Sequence, residues 1–161
     1  MLQITEAHQA VHLPLVRELF NEYAAALGFH LCFQDFEQEL ADLPGRYAPP
    51  EGRILIATWG GKPAGCVAMK KLGEGVCEMK RFYVRTDFRG KGIGLGLAKA
   101  IVESGRAADY ERMRLDTVPS MQSAIKIYES LGFVDTEPYA FNPVPGVRYL
   151  DATDAPETVG P

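Results

Sequence analysis

The sequence has few cysteines and no long apolar run. Its three cysteines are odd in number, form no C-x-x-C pair and fit no zinc-ligand spacing, so we expect reduced, buried thiols and no metal site. No stretch approaches the roughly 18 consecutive apolar residues of a transmembrane helix. The N-terminus also lacks the basic segment and apolar stretch of a signal peptide. These absences predict a cytoplasmic protein with no membrane partner.

A surplus of positive charge is also missing. The 161 residues carry a net charge of −4 and a pI of about 5.4, whereas a general nucleic-acid binder normally has a basic excess. The basic residues are concentrated instead in and before one glycine-rich loop: Lys70, Lys71, Lys80, Arg81, Arg85, Arg89 and Lys91. One basic region in an acidic chain indicates a small phosphorylated ligand rather than a nucleic acid.

The order of sequence patterns predicts a single α/β domain over residues 1–151. A short strand at 2–5 is followed by helical patterns at 8–28 and 34–42. Three strand-like runs, joined by short glycine turns, then predict an antiparallel meander: 53–59, 63–71 and 76–84. A helix at 92–108 and a strand at 112–118 complete a parallel crossover, and a helix at 120–131 precedes late strands at 133–138 and 146–151. Residues 152–161 are expected to be a flexible tail.

The loop R-G-K-G-I-G at residues 89–94 is the clearest binding motif. Its glycines allow the backbone to bend and to approach a ligand closely, and the helix that follows presents free N–H groups to an anion. Lys91 is followed by Gly92, which excludes a Walker loop, and the alternating glycines exclude the dinucleotide fingerprint G-x-G-x-x-G. The loop therefore predicts a phosphate site of another kind. A glycine-rich turn without a ligand is the alternative, but four glycines at a helix start would then lower stability without a function.

The motif R-x-x-G-x-G at 89–94, between a strand ending in F-Y-V and a helix, resembles the acetyl-CoA signature of the GNAT superfamily of N-acyltransferases. The strand M-R-L-D-T-V and the helix A-I-K-I-Y-E-S-L-G-F (124–133) are similar to a second recurrent segment of that superfamily. The resemblance is strong over 76–133. It implies a mixed, mostly antiparallel sheet with a splayed parallel pair and helices on both faces.

The resemblance also implies how acetyl-CoA binds. The loop amides would hold its pyrophosphate, and the exposed strand edge at 82–84 would pair with the peptide-like pantetheine arm. The amide of Phe82 would polarise the thioester carbonyl. The implied cofactor-binding residues are Phe82, Tyr83, Val84, Arg89, Gly90, Lys91, Gly92, Ile93, Gly94 and Leu95.

Two residues are candidates for catalysis. Tyr128 matches the tyrosine that GNAT members commonly place near the coenzyme A sulfur, where it would donate a proton to the departing thiolate; the alternative is a core aromatic. Glu78 matches a strand glutamate that some members use as a general base. With a period of two it would share a face with Lys80 and Phe82. The alternative for Glu78 is a solvent-facing or salt-bridged strand glutamate, with Lys80 or Arg81 nearby.

The sequence says less about the acceptor. Asp116 could line the acceptor pocket or serve only as a strand-end or helix-cap residue. Met121 stands where many members have an asparagine, so that polar contact is missing or supplied by Ser120 or Ser123. We expect acetyl transfer to a primary amine of a small molecule or peptide by direct attack in a ternary complex; the alternative is a non-catalytic acyl-CoA-binding domain. The edges of the meander allow a homodimer without specifying one.

Overall fold

The computed structural model describes residues 1–28 and 35–153, which contain a seven-stranded sheet and four α-helices. The strands are β1 (Leu2–Glu6), β2 (Arg53–Trp59), β3 (Lys62–Gly73), β4 (Val76–Val84), β5 (Arg112–Thr117), β6 (Val134–Asp135) and β7 (Arg148–Thr153). The helices are α1 (Leu13–Leu27), α2 (Phe36–Asp42), α3 (Ile93–Ala107) and α4 (Gln122–Ser130). The sheet order is β1-β2-β3-β4-β5-β7-β6, and β4 with β5 is its parallel pair.

This architecture confirms the predicted fold class, with shifts at element ends. The first helix begins at Leu13 rather than near residue 8, because Ala10–His12 form a 3-10 turn and a proline occupies the first helical turn, where its fixed φ is tolerated. The last strand extends to Thr153, so Ala152 and Thr153 belong to the sheet rather than to the predicted tail. The rest of that predicted tail, 154–161, lies outside the described residues.

Two hydrophobic clusters cover the two faces of the sheet. Residues of a strand alternate between faces, and Cys77 and Met79 of β4 accordingly join the cluster that α3 and α4 cover. Cys66 and Ala68 of β3 face the other cluster, which α1 and α2 cover. Helices therefore lie on both sides of the sheet, as predicted.

A β-bulge interrupts the pairing of β3 with β4. Cys66 pairs with Tyr83 and Ala68 with Lys80, so Val67 alone opposes two residues, Arg81 and Phe82. Arg81 takes the left-handed backbone conformation with φ of 60°. The extra residue reverses the alternation along the rest of β4.

The bulge corrects one prediction about β4. Lys80 lies opposite Ala68 and therefore on the α1/α2 face, whereas Phe82 packs in the cluster under α3 and α4. Phe82 thus does not share a face with Lys80, because a period of two does not continue through a bulge. Glu78 and Lys80 do lie together, with the Lys80 Nζ 3.8 Å from the Glu78 carboxylate.

The parallel strands β4 and β5 pair only at their beginnings. The register joins Val76 to Arg112 and ends with Glu78 opposite Arg114. Within the described residues, β4 has no strand partner on its β5 side from residue 79 onward, while β5 continues to pair with β7 on its other side. The two strands therefore diverge, as expected, and leave an open backbone edge on β4.

None of the described helices combines the length and the apolar character that a bilayer crossing requires.

Candidate active site

The glycine loop lies at the start of α3. Gly90 and Gly92 have φ values of 83° and 80°, and a Cβ added to either would meet no atom within 4 Å. Gly92 is the N-cap, and the first bond of the helix runs from the Gly96 amide to the Gly92 carbonyl at 3.1 Å. The amides of the first helical residues consequently have no acceptor within the helix. The loop thus presents N–H groups beside open space, which is what an anion requires.

A groove of about 320 Å³ lies beside this loop, and we call it the glycine-loop groove. Its described lining residues come from the end of β4, the glycine loop and the N-terminal parts of α3 and α4: Phe82, Tyr83, Val84, Phe88, Arg89, Gly90, Gly92, Ile93, Gly94, Leu95, Ser120, Met121, Gln122, Ser123, Ala124 and Ile127. All the predicted cofactor-binding residues except Lys91 are among them. The Lys91 ammonium lies instead over the Trp59 ring, 5.6 Å from its centroid.

The floor of the groove is formed at Gly94. A Cβ at this position would lie 3.1 Å from Ile127 Cδ1 and 3.5 Å from Phe82 Cζ, so a side chain would fill the space between α3 and β4. Ser120 and Ser123 line the groove on either side of Met121. Polar groups are therefore present near the position of the missing asparagine.

A second, narrower cavity occupies the opening between β4 and β5, and we call it the splay pocket. It has a volume of about 30 Å³, and its described lining residues are Tyr23, Leu27, Met79, Lys80, Arg81, Phe82, Asp116, Thr117, Val118, Met121, Tyr128 and Asn142. Phe82 and Met121 line both cavities. The splay pocket therefore adjoins the glycine-loop groove and leads toward the α1/α2 face.

Tyr128 lies in the splay pocket on α4. It is 5% exposed, and its ring packs against Phe82 and Phe133 with centroids 5.7 and 5.9 Å apart. No hydrogen bond to its hydroxyl comes from the described residues. Burial raises the pKa of the Tyr128 phenol well above its ordinary value, with smaller contributions from Tyr23 and Asp116. The hydroxyl is therefore a protonated donor at neutral pH.

Glu78 lies in the part of β4 that still pairs with β5, before the opening in which Tyr128 lies. It is 5% exposed, belongs to the paired segment of β4 and is not among the described residues that line the splay pocket. The Tyr139 hydroxyl donates to its carboxylate at 2.8 Å, and burial, followed by the charge of Glu78, raises the pKa of Tyr139. Glu78 is thus held by Tyr139 and by Lys80, and Lys80 itself lines the pocket. The sequence does not mark Tyr139 as its partner.

Asp116 is the carboxylate that lines the splay pocket together with Tyr128. It lies near the end of β5 and is half-buried, and the Asn142 side-chain amide donates to it at 3.0 Å. The sequence predicted Asp116 either as a residue that lines the acceptor pocket or as a strand-end or helix-cap residue. It did not indicate Asn142, which lies in the connection between β6 and β7.

Two ion pairs fix α1 and α2 against β4. The Arg81 guanidinium, only 2% exposed as a residue, donates two 2.8 Å hydrogen bonds to Glu39 of α2. Arg85 donates to Glu22 of α1 at 2.8 and 2.9 Å, and this bond lowers the pKa of Glu22. The bulge and the strand end are thereby held beside the helices that cover the pocket.

Comparison with known proteins assigns the chain to a family. Residues 13–133 match the model of the acetyltransferase (GNAT) family. An uncharacterized N-acetyltransferase of Schizosaccharomyces pombe is 42% identical over 134 residues, covering 82% of each chain. The N-acetylaspartate synthetase of Danio rerio is 33% identical over 97 residues, which are 59% of this chain and 34% of that protein.

Solved structures share the fold. A GNAT-family acetyltransferase from Staphylococcus aureus superposes with a TM-score of 0.76 at 16% identity, covering 95% of this chain and 99% of that one. The yncA protein of Salmonella typhimurium, solved with its cofactor acetyl-CoA, superposes with a TM-score of 0.65 at 15% identity over 94% and 93% of the two chains. The chain belongs to the GNAT family, and its relatives and fold make it an N-acetyltransferase.

Proposed function

We propose that this protein transfers an acetyl group from acetyl-CoA to a primary amine of a small molecule or peptide by direct attack in a ternary complex. The observation that carries the proposal is the junction of two cavities at Phe82 and Met121. One cavity has the backbone amides and open strand edge that suit coenzyme A, and the other contains a buried acid, Tyr128. A donor and an acceptor can therefore meet without either leaving its own cavity.

The glycine-loop groove fits the donor. Its volume of about 320 Å³ falls within the range of small-molecule sites, and the positive-φ glycines leave space at the helix start for phosphate. Residues 82–84 on the open edge of β4 offer main-chain groups to the pantetheine arm. Phe82 lies at the bulge, where the regular pairing of β4 with β3 is interrupted, and its amide would polarise the thioester carbonyl.

Direct attack is supported by the positions of the two described cysteines. Cys66 and Cys77 are free and fully buried, and neither lines the glycine-loop groove or the splay pocket. Burial raises the pKa of the Cys77 thiol to about 12, so it is not a nucleophilic thiolate at neutral pH. Free thiols also agree with a reducing compartment such as the cytoplasm.

Tyr128 and Glu78 are proposed to move the two protons of the reaction. The Tyr128 hydroxyl would protonate the departing thiolate. Glu78 would accept the amine proton through water or through the Tyr139 hydroxyl, which donates to it at 2.8 Å. Glu78→Gln and Tyr139→Phe should then both lower kcat, with little change in acetyl-CoA affinity. An unchanged kcat in both variants would make Glu78 a structural partner of Lys80.

Screening of donors and amines tests the function as a whole. Thiol release from acetyl-CoA and from longer acyl-CoAs should be measured against a panel of primary amines that includes aspartate, since N-acetylaspartate synthetases are among the relatives. We expect calorimetric binding of acetyl-CoA and thiol release with at least one amine. Binding without release would indicate a non-catalytic acyl-CoA-binding domain, and absence of binding would contradict the assigned groove.

A further inference from the structure

Several carboxylates on the α1/α2 side of the sheet differ from one another in their charge partners. Among the described residues, each of four has a cationic side chain within 4.0 Å: Glu39 with Arg81, Glu22 with Arg85, Glu78 with Lys80, and Asp151 with Arg114. Asp116 has no such partner among the described residues, and its hydrogen bond comes from the neutral amide of Asn142. Asp116 therefore carries its negative charge without an ion-pair partner within 4.0 Å among the described residues, although Lys80 and Arg81 line the same pocket.

The divergence of β4 and β5 accounts for this unpaired charge. The parallel register ends with Glu78 opposite Arg114, so a continued ladder would place Asp116 opposite Lys80. Because the strands separate after that pair, the Lys80 ammonium stays with Glu78 at 3.8 Å, and Asp116 borders the opening instead. The same separation that creates the pocket removes the cation that would neutralise its carboxylate.

The position of Asp116 suits a cationic ligand. It lines the splay pocket, as Tyr128 does, and its charge is one of the contributions that raise the pKa of Tyr128 after burial. A primary amine in water is an ammonium ion with three N–H donors, and a half-buried carboxylate is the acceptor that complements it. A pocket of about 30 Å³ admits only a small head group.

We propose that Asp116 binds the ammonium group of the acceptor amine, with Asn142 holding the carboxylate in position. This inference rests on the proposed function, because it names the residue that receives the acceptor in the same reaction. It assigns Asp116 to acceptor binding and leaves the movement of protons to Tyr128 and Glu78. The acceptor's ammonium group would then be held beside Tyr128, at the junction with the donor groove.

Methylamine isolates this contact, because it is a primary amine with almost nothing else to recognise. We expect Asp116→Asn to raise the KM for methylamine by about ten- to hundredfold, since a hydrogen bond to a charged group is lost. The acetyl-CoA dissociation constant should be unchanged. The variant keeps an oxygen that accepts from Asn142, so its melting temperature should stay close to that of the wild type.

Further variants separate binding from folding. Asp116→Glu should restore part of the affinity, and Asn142→Ala should raise the KM less than Asp116→Asn does. Asp42→Asn, an exposed change in α2, should leave the KM unchanged. Wild-type turnover with the same KM in Asp116→Asn would overturn the inference alone. No thiol release by the wild type with any amine would overturn the proposed function and this inference with it.

Discussion

At the scale of single residues, the role of the Tyr128 hydroxyl can be tested by removing it alone. Its ring is held by Phe82 and Phe133, while no described residue bonds its hydroxyl. Tyr128→Phe should therefore leave stability nearly unchanged and lower kcat by roughly a hundredfold, the lower end of the usual range for general acid catalysis. The acetyl-CoA dissociation constant should not change. Steady-state kinetics and calorimetry check both expectations.

Tyr110 supplies the matched control for Tyr128. Its hydroxyl donates to the Glu51 carbonyl at 2.7 Å, and it lines neither the splay pocket nor the glycine-loop groove. Tyr110→Phe should cost about 1 kcal/mol of stability through the lost hydrogen bond while kcat is retained. An unchanged kcat in Tyr128→Phe, or an equal loss in both variants, would return Tyr128 to a packing role.

At the scale of elements, phosphate binding by the start of α3 can be tested by comparing two glycines that have the same backbone conformation. Gly92 at the start of α3 has φ of 80°, Gly28 at the end of α1 has φ of 79°, and a Cβ at either would meet no atom within 4 Å. Valine at either position should therefore cost a similar 1–2 kcal/mol or more of backbone strain, roughly the penalty for the left-handed region. Gly92→Val alone should also weaken acetyl-CoA binding at least tenfold, measured by calorimetry. Equal affinities in the two variants would contradict the phosphate cradle.

The junction of α1 with the end of β4 predicts a pH dependence of stability. The hydrogen bond from Arg85 lowers the pKa of Glu22 below 4.5 in the folded protein. A lowered folded-state pKa adds stability above the unfolded value, and this contribution is lost as the pH falls through the folded value. The wild type should therefore exceed Arg85→Met in urea-unfolding stability at pH 7, and the difference should shrink below pH 4.5. A difference that stays constant with pH would assign the effect of Arg85 to a contact that does not titrate, its 3.3 Å hydrogen bond to the Pro63 carbonyl.

At the scale of the whole molecule, local patterns predicted the order of elements, the meander and the glycine loop. These features depend on glycine turns and on spacing within one segment, which the sequence shows directly. The bulge at Arg81 was not predictable, since nothing in V-C-E-M-K-R-F-Y-V marks where the extra residue of the strand falls. The Tyr139 hydroxyl bonds to Glu78, which is 61 residues away in sequence, and only the folded chain brings the two together. The unpaired charge of Asp116 likewise follows from where two strands stop pairing.

Acetyl-CoA should stabilise the whole molecule, because the glycine-loop groove is built from β4 on one side and from α3 and α4 on the other. A ligand that binds only the folded chain adds about 2.7 kcal/mol at a hundred times its dissociation constant. For a domain of this size that corresponds to a rise in Tm of roughly 5–11 °C.

S-acetyl-N-acetylcysteamine, which lacks the phosphates, should give a much smaller rise in Tm than acetyl-CoA at the same concentration. The Gly92→Val variant should respond little to acetyl-CoA, whereas Gly28→Val should respond as the wild type does. Equal shifts with the two thioesters would mean that the loop does not bind the pyrophosphate, and thermal unfolding at several ligand concentrations decides between these outcomes.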